Sequence, residues 1–176
     1  MVIRTILSLL LGMLLLASGV AQAEGNASYK LASGDVISIS VFGEPDLSVT
    51  DLRLTDAGSF SYPFIGEVLA KGKTAAEIEQ LIVNKLNGDY LVDPRVSVSV
   101  LTYREFYISG EVKKPGGYPF QPGLTLRRAV ALAGGLTERA SEGRITIIRD
   151  NQSPEPATLD SPVKPGDSIN IDQGFF

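Results

Sequence analysis

Cysteine, histidine and tryptophan are all absent from the 176 residues. Without cysteine there is no disulfide framework and no thiolate chemistry. Stability must then come from an apolar core or from association with other subunits. Without histidine, the commonest general base and the commonest metal ligand are both missing. Cationic charge is also scarce: 16 basic residues stand against 20 acidic ones, a formal net charge of −4. No basic stripe offsets that balance, which disfavours nucleic-acid binding. No catalytic set is visible, and no enzyme activity and no cofactor are expected.

Long hydrophobic runs are lacking too. Residues 6–16 form an apolar run of eleven after Arg4, short of the roughly 20 residues of a membrane span. Small residues follow, ending in Ala21-Gln22-Ala23. A basic start, a short apolar middle and an A-x-A site make a secretory signal peptide, residues 1–23, cut between Ala23 and Glu24. Loss of Arg4 takes the formal charge from −4 to −5. A lipid anchor on an N-terminal cysteine is not expected, because the residue after the cut is Glu24.

What the chain does have is repetition. Gly66-Glu67-Val68 and Gly110-Glu111-Val112 each precede a threonine and a helical stretch, Thr74 with residues 75–86 and Thr125 with residues 126–133. A second echo joins the two ends: Gly34-Asp35-Val36-Ile37-Ser38-Ile39 resembles Gly166-Asp167-Ser168-Ile169-Asn170-Ile171. Internal repetition without chemistry suggests two small α+β units in tandem, a building block of an assembly.

The patterning predicts the elements. Ile37, Ile39 and Val41 alternate with serines, as do Val96, Val98 and Val100, so both runs read as half-buried strands. Residues 52–55 and 60–64, around Asp56-Ala57-Gly58, read as a hairpin, with an edge or bulge at Pro63 because proline cannot donate to a ladder. Thr74 and Glu77 make a capping box; Ile78, Leu81, Ile82 and Leu86 recur at helical spacing, and Gly88 stops the helix. In the second unit residues 106–112 read as a strand, residues 113–117 as a turn and residues 126–133 as a short helix closed by Gly134-Gly135. Residues 144–149 and 168–172 read as strands, and residues 151–156 as a loop. One short helix over one sheet face fits a β-grasp-like fold.

The chemical signals weaken on inspection. Gly72-Lys73-Thr74 before a helix invites a phosphate loop, but that motif needs glycine at position 67, where Glu67 stands. Helix capping by Thr74 explains the triplet. Glu44/Asp46 and Glu77/Glu79 are the nearest carboxylate pairs for glycoside hydrolysis; the second pair, two apart on a helix, points to different sides. Tyr62, Tyr103, Tyr107 and Tyr118 could line a sugar site, yet strand propensity alone accounts for tyrosine in such runs. Phe175 and Phe176 stand out as two aromatics beside Gly174 after the last strand, and are a candidate docking element.

Taken in order, these segments resemble one family: Gly34-Asp35; residues 41–47; Pro63 through Gly66-Glu67-Val68; Asp93-Pro94; Gly110-Glu111-Val112 through Pro115-Gly116; and Gly134-Gly135. The set is similar to the polysaccharide export proteins of Gram-negative bacteria, over roughly residues 29–176. The resemblance implies a short linker at 24–28, an export domain at 29–103, a soluble-ligand-binding β-grasp (SLBB) domain at 104–172 and a tail at 173–176. It also implies a homo-oligomeric ring in the periplasm, a passive conduit for capsular or extracellular polysaccharide across the periplasm and outer membrane. Its implied partners are an inner-membrane polysaccharide co-polymerase, often a tyrosine kinase, and a separate outer-membrane β-barrel. Longer relatives carry a lipidated cysteine, a C-terminal amphipathic helix and further β-grasp domains, none of which is seen here, so the short class is expected. The alternative is a monomeric periplasmic module that binds a glycan or another small ligand; oligomeric state separates the two.

Overall fold

The computed structural model describes residues 29–150 and 152–174. The signal-peptide reading, with its cut between Ala23 and Glu24, and the aromatic pair Phe175-Phe176 lie outside the described residues. The architecture is α+β, with two hydrophobic cores, one on each side of Arg104.

In the first unit, β1 (Val36–Val41) is the centre of a three-stranded antiparallel sheet. β2 (Val49–Arg53) lies on one side of it and β5 (Val96–Thr102) on the other. Alternation works as expected: Ile37, Ile39 and Val41 are buried, while Ser40 faces out. Helix α1 (Ala75–Leu86) packs against β5 and buries Ile78, Ile82 and Leu86. Each contributes about 1.5–3 kcal/mol of apolar burial. The capping box is present in full. Thr74 Oγ1 accepts from Glu77 N–H at 3.2 Å, and Glu77 Oε2 accepts from Thr74 N–H at 2.6 Å. That second bond is the main reason the Glu77 carboxyl sits below its ordinary range, with Lys30 nearby adding to it. Asn87 caps the other end, and Gly88 follows in the left-handed region.

The expected hairpin is not the one that forms. β2 pairs with β1, whereas β3 (Ser59–Tyr62) pairs with β4 (Gly66–Leu69). Residues 55–59 make a tight turn between β2 and β3, closed by Thr55 N–H on Ser59 O at 2.9 Å. Pro63 is no bulge inside a strand: it opens the β3–β4 turn, where its missing N–H costs nothing. Phe64, at φ +61°, and Gly66, at φ +80°, complete that reversal.

The second unit is a five-stranded sheet with α2 (Leu126–Leu132) on its buried face, its strands in the order β7 (Gly116–Tyr118), β6 (Phe106–Gly110), β10 (Ser168–Gln173), β8 (Ala140–Ile148) and β9 (Glu155–Ala157). β6 and β10 run parallel at its centre. β7, β8 and β9 pair antiparallel outside them. This is a β-grasp topology. Ala129 and Ala133, both fully buried, let α2 lie close to the sheet.

Three local expectations change. β6 ends at Gly110 rather than continuing to Val112. Gly110 has φ +81°, and a Cβ there would lie 2.1 Å from Ile171 O, so the chain turns where only glycine fits. Thr125 occupies the N-cap of α2 without a side-chain capping bond. Instead Leu126 and Arg127 N–H donate to Ser161 O and Leu159 O at 2.9 and 2.7 Å. Within the expected 151–156 loop, β9 begins at Glu155. Pro156 is tolerated there because β9 is an edge strand.

Candidate functional site

The two sequence echoes fare differently. Gly66-Glu67-Val68 opens a strand, whereas Gly110-Glu111-Val112 leaves one, so the triplets do not occupy equivalent places. Their glutamates each accept a hydroxyl, Glu67 from Ser59 and Glu111 from Thr137. The Gly-Asp echo is structural. Gly34 and Gly166 have φ +86° and +82°. Each following aspartate is buried, 0% and 1% exposed, and closes the turn that leads into a strand. Asp35 Oδ2 accepts from Ala32 N–H, and Asp167 Oδ2 from Lys164 N–H, both at 2.8 Å and three residues upstream. Leu31 and Val163 are buried just ahead of these turns.

Both turns converge on the segment joining the sheets. β1 pairs with β5 and β10 with β6, and Tyr103-Arg104-Glu105 connects β5 to β6. Arg104 N–H donates to Asp35 Oδ1 at 2.8 Å. Its guanidinium donates to Tyr29 Oη at 3.1 Å and to Asp150 Oδ1 at 3.2 Å. Tyr29 in turn donates to Asp35 Oδ2 at 2.7 Å. On the other side Gly166 N–H donates to Glu105 O at 3.1 Å, and a Cβ on Gly166 would lie 2.3 Å from Arg104 Nε. Asp167 holds Arg149, whose Nε lies 3.1 Å from Oδ1.

Beside Arg104 opens a cleft of about 440 Å3. One wall is a chain of half-buried rings: Tyr29 meets Tyr103 edge to face at 4.9 Å, and Tyr103 meets Phe120 at 5.4 Å. The other wall carries Arg104, Arg149, Lys30 and Lys164 with Asp150 and Asp167. Burial pushes the Tyr29 phenol well above its ordinary value, helped by its hydrogen bond to Asp35 and that carboxylate's charge. Tyr103 is raised for the same first reason, then by Asp35. Both therefore stay neutral hydrogen-bonding groups. Fixed rings beside fixed cations suit recognition of an amphipathic anion. A broader groove of about 580 Å3 runs along the outer face of α1, past Gln80, Leu81 and Asn84, but no set of buried polar groups backs it.

Of the residues singled out from sequence, Gly34 and Asp35 lie at this junction. Pro63 opens the β3–β4 turn, and Gly66 and Glu67 begin β4, paired with Tyr62 and Ser61. Asp93, at φ +51°, and Pro94 precede β5. Gly110 and Glu111 meet the loop after α2: Thr137 N–H donates to Glu111 O, and Lys113 N–H to Gly135 O, beside Gly134. Pro115 and Gly116 lie at the β6–β7 turn. The set marks separate turns, not one site. Glu79 accepts from Val98 N–H at 3.3 Å and Glu77 caps α1, so that carboxylate pair has structural roles. Of the four tyrosines, Tyr62 is buried and donates to Leu47 O, and Tyr118 stacks on Phe106. Tyr107 is exposed on β6, and Tyr103 lines the cleft. Tyr29 stood at the start of the segment that resembles the family, ahead of Gly34-Asp35, whereas Phe120, Arg149 and Lys164 carried no signal of their own beyond lying between the two Gly-Asp echoes.

Residues 23–101 match the family of polysaccharide biosynthesis/export proteins, and residues 106–162 match the SLBB domain. The exopolysaccharide production protein ExoF of Rhizobium meliloti is 45% identical over 53% of this chain and 23% of its own length. The EPS I polysaccharide export outer membrane protein EpsA of Ralstonia nicotianae is 27% identical over 82% of this chain and 47% of its own. The polysialic acid transport protein KpsD of Escherichia coli is 29% identical over 61% of this chain and 20% of its own. The chain thus spans less than half the length of each of these curated relatives. No helix among the described residues is long and apolar enough to cross a membrane.

Proposed function

We propose, from its membership of the polysaccharide export family with an SLBB domain in tandem, that this chain is a periplasmic, ring-forming and non-enzymatic component of a polysaccharide export apparatus. In this reading residues 29–103 are the export domain and residues 104–172 the SLBB domain. Subunits associate head to tail and form a passive conduit between an inner-membrane co-polymerase and a separate outer-membrane barrel. The two family matches in tandem support the reading. Exposed apolar loops support association. Phe42 is 79% and Val92 94% exposed, and Phe64 packs on Tyr90 at 5.0 Å, at the end of the first unit remote from Arg104. Such a cluster, unusual on a monomer's surface, suits a subunit contact. Docking of a partner by Phe175 and Phe176 belongs to the same proposal.

The test is a strain lacking the gene. Loss of surface polysaccharide, restored by the wild-type chain and not by one carrying Phe42→Asp and Val92→Asp, is the expected result. Unchanged polysaccharide in the deletion strain would overturn the proposal. The junction cleft favours the second reading, a monomeric glycan-binding module, and that reading requires the loop substitutions to be silent.

A further inference from the structure

We propose that the junction cleft binds an acidic sugar residue, with the sugar's apolar ring face against Tyr103, its rim beside Phe120, and its carboxylate directed at Lys164. The inference rests on the polysaccharide reading for the class of ligand, and goes beyond it in naming the site and the charge.

The unpaired charge decides the sign. Four cations and two carboxylates line the cleft, and Asp35, Glu77 and Glu155 pair with those cations from outside it. Three of the cations are engaged: Lys30 faces Glu77, Arg104 faces Asp35 and Asp150, and Arg149 faces Asp167 and Glu155. Lys164 is exposed and has no ion-pair partner among the described residues. A ligand carboxylate would complete that set. The rings supply the second half of the recognition. Sugars present an apolar face of C–H groups, and the face of one ring, Tyr103, can bury it while Phe120, at 80° to it, closes the side. The position of the site is fixed by groups that need no ligand. Asp35 anchors Arg104 and Tyr29, and Asp167 anchors Arg149, so little ordering remains when a sugar binds. The groove along α1 has no ring in its lining, and around Phe42 the ring face is already covered by Arg95, 6.0 Å from its centroid.

The test is a titration of the purified full chain with trigalacturonate, maltotriose and sodium acetate, followed by NMR of the tyrosine rings. Trigalacturonate should shift the Tyr29 and Tyr103 resonances, with maltotriose and acetate silent at the same concentration, and added salt should weaken the effect. Lys164→Gln should weaken binding about fivefold, the loss expected of one exposed ion pair. Tyr103→Leu should weaken it about tenfold, the loss of one aromatic contact. Should Tyr103→Leu disturb folding, the exposed Lys164→Gln decides alone. Equal binding of maltotriose would overturn the acidic preference, and equal binding of acetate would reduce the site to one for any anion. Silence of all three, or shifts that neither variant changes, would overturn the assignment. The export reading fails separately, on the polysaccharide of the deletion strain, so the two failures are distinguishable.

Discussion

Asp35 and Asp167 follow left-handed glycines, precede strands and accept the N–H three residues upstream, yet their remaining oxygens face different partners. Asp35 Oδ1 reaches across to the backbone of Arg104, 69 residues on, and its other oxygen also holds the Tyr29 phenol. Asp167 holds Arg149 within its own unit. One local motif thus joins two units in the first case and closes a single unit in the second. The lesson is that a repeated turn fixes a carboxylate's position, while the element that happens to pass beside it fixes its role.

The sharpest way to break this comparison is to remove each carboxylate. Asp35→Ala leaves Arg104 N–H, Ala32 N–H and Tyr29 without their acceptor, at a cost of about 3–5 kcal/mol. It should also split unfolding into two transitions, because the link between the cores is lost. Asp167→Ala should lower the second unit while protection of β1 persists. Hydrogen exchange read at β1 and β10 amides checks both. Identical, single transitions in the two variants would show the turns to be equivalent.

The glycines give a smaller contrast. Gly34→Ala pays for its left-handed backbone alone, about 1–2 kcal/mol, since 3.9 Å separates the new Cβ from Arg104 Cβ. Gly166→Ala pays the same and must also displace a guanidinium held by three partners. Its loss in denaturant titration should exceed that of Gly34→Ala by on the order of 1 kcal/mol. Equal losses would mean that Arg104 moves freely.

Alkaline pH should separate the turns as well. The folded Tyr29 phenol ionises only well above its ordinary value, so above about pH 10 the unfolded chain binds fewer protons than the native one. Its contribution is full below that pH and is lost as pH rises further. Tyr29→Phe should flatten this alkaline decline, read as thermal midpoint against pH; an unchanged slope would contradict the burial and Asp35 pairing. The smallest expected effect is at the helix caps. Thr74→Ala should cost about 1 kcal/mol, whereas Thr125→Ala should cost little because backbone carbonyls cap α2.

Much of the fold was legible in short-range pattern. The α1 boundaries follow from the Thr74–Glu77 box and Gly88, and β1 and β5 from serine alternation. What failed was partnership. Alternation says that residues 52–55 and 60–64 are extended but not which strand each meets, and the chain paired them with β1 and β4 instead. Thr125 shows the same limit: its position reads as a cap, but a distant loop supplied the acceptors. The cleft was half visible. The Gly-Asp echo marked both turns, while Tyr29, Phe120, Arg149 and Lys164 become a site only where the two sheets meet.

The most direct measurement of the functional proposal is the solution mass of the purified full chain across a range of concentrations, by sedimentation. A mass that rises to a fixed multiple of the monomer, with a thermal midpoint that climbs alongside it, is the expected result for a closed ring. A monomer mass at every concentration up to the high micromolar range, with a constant midpoint, would contradict it.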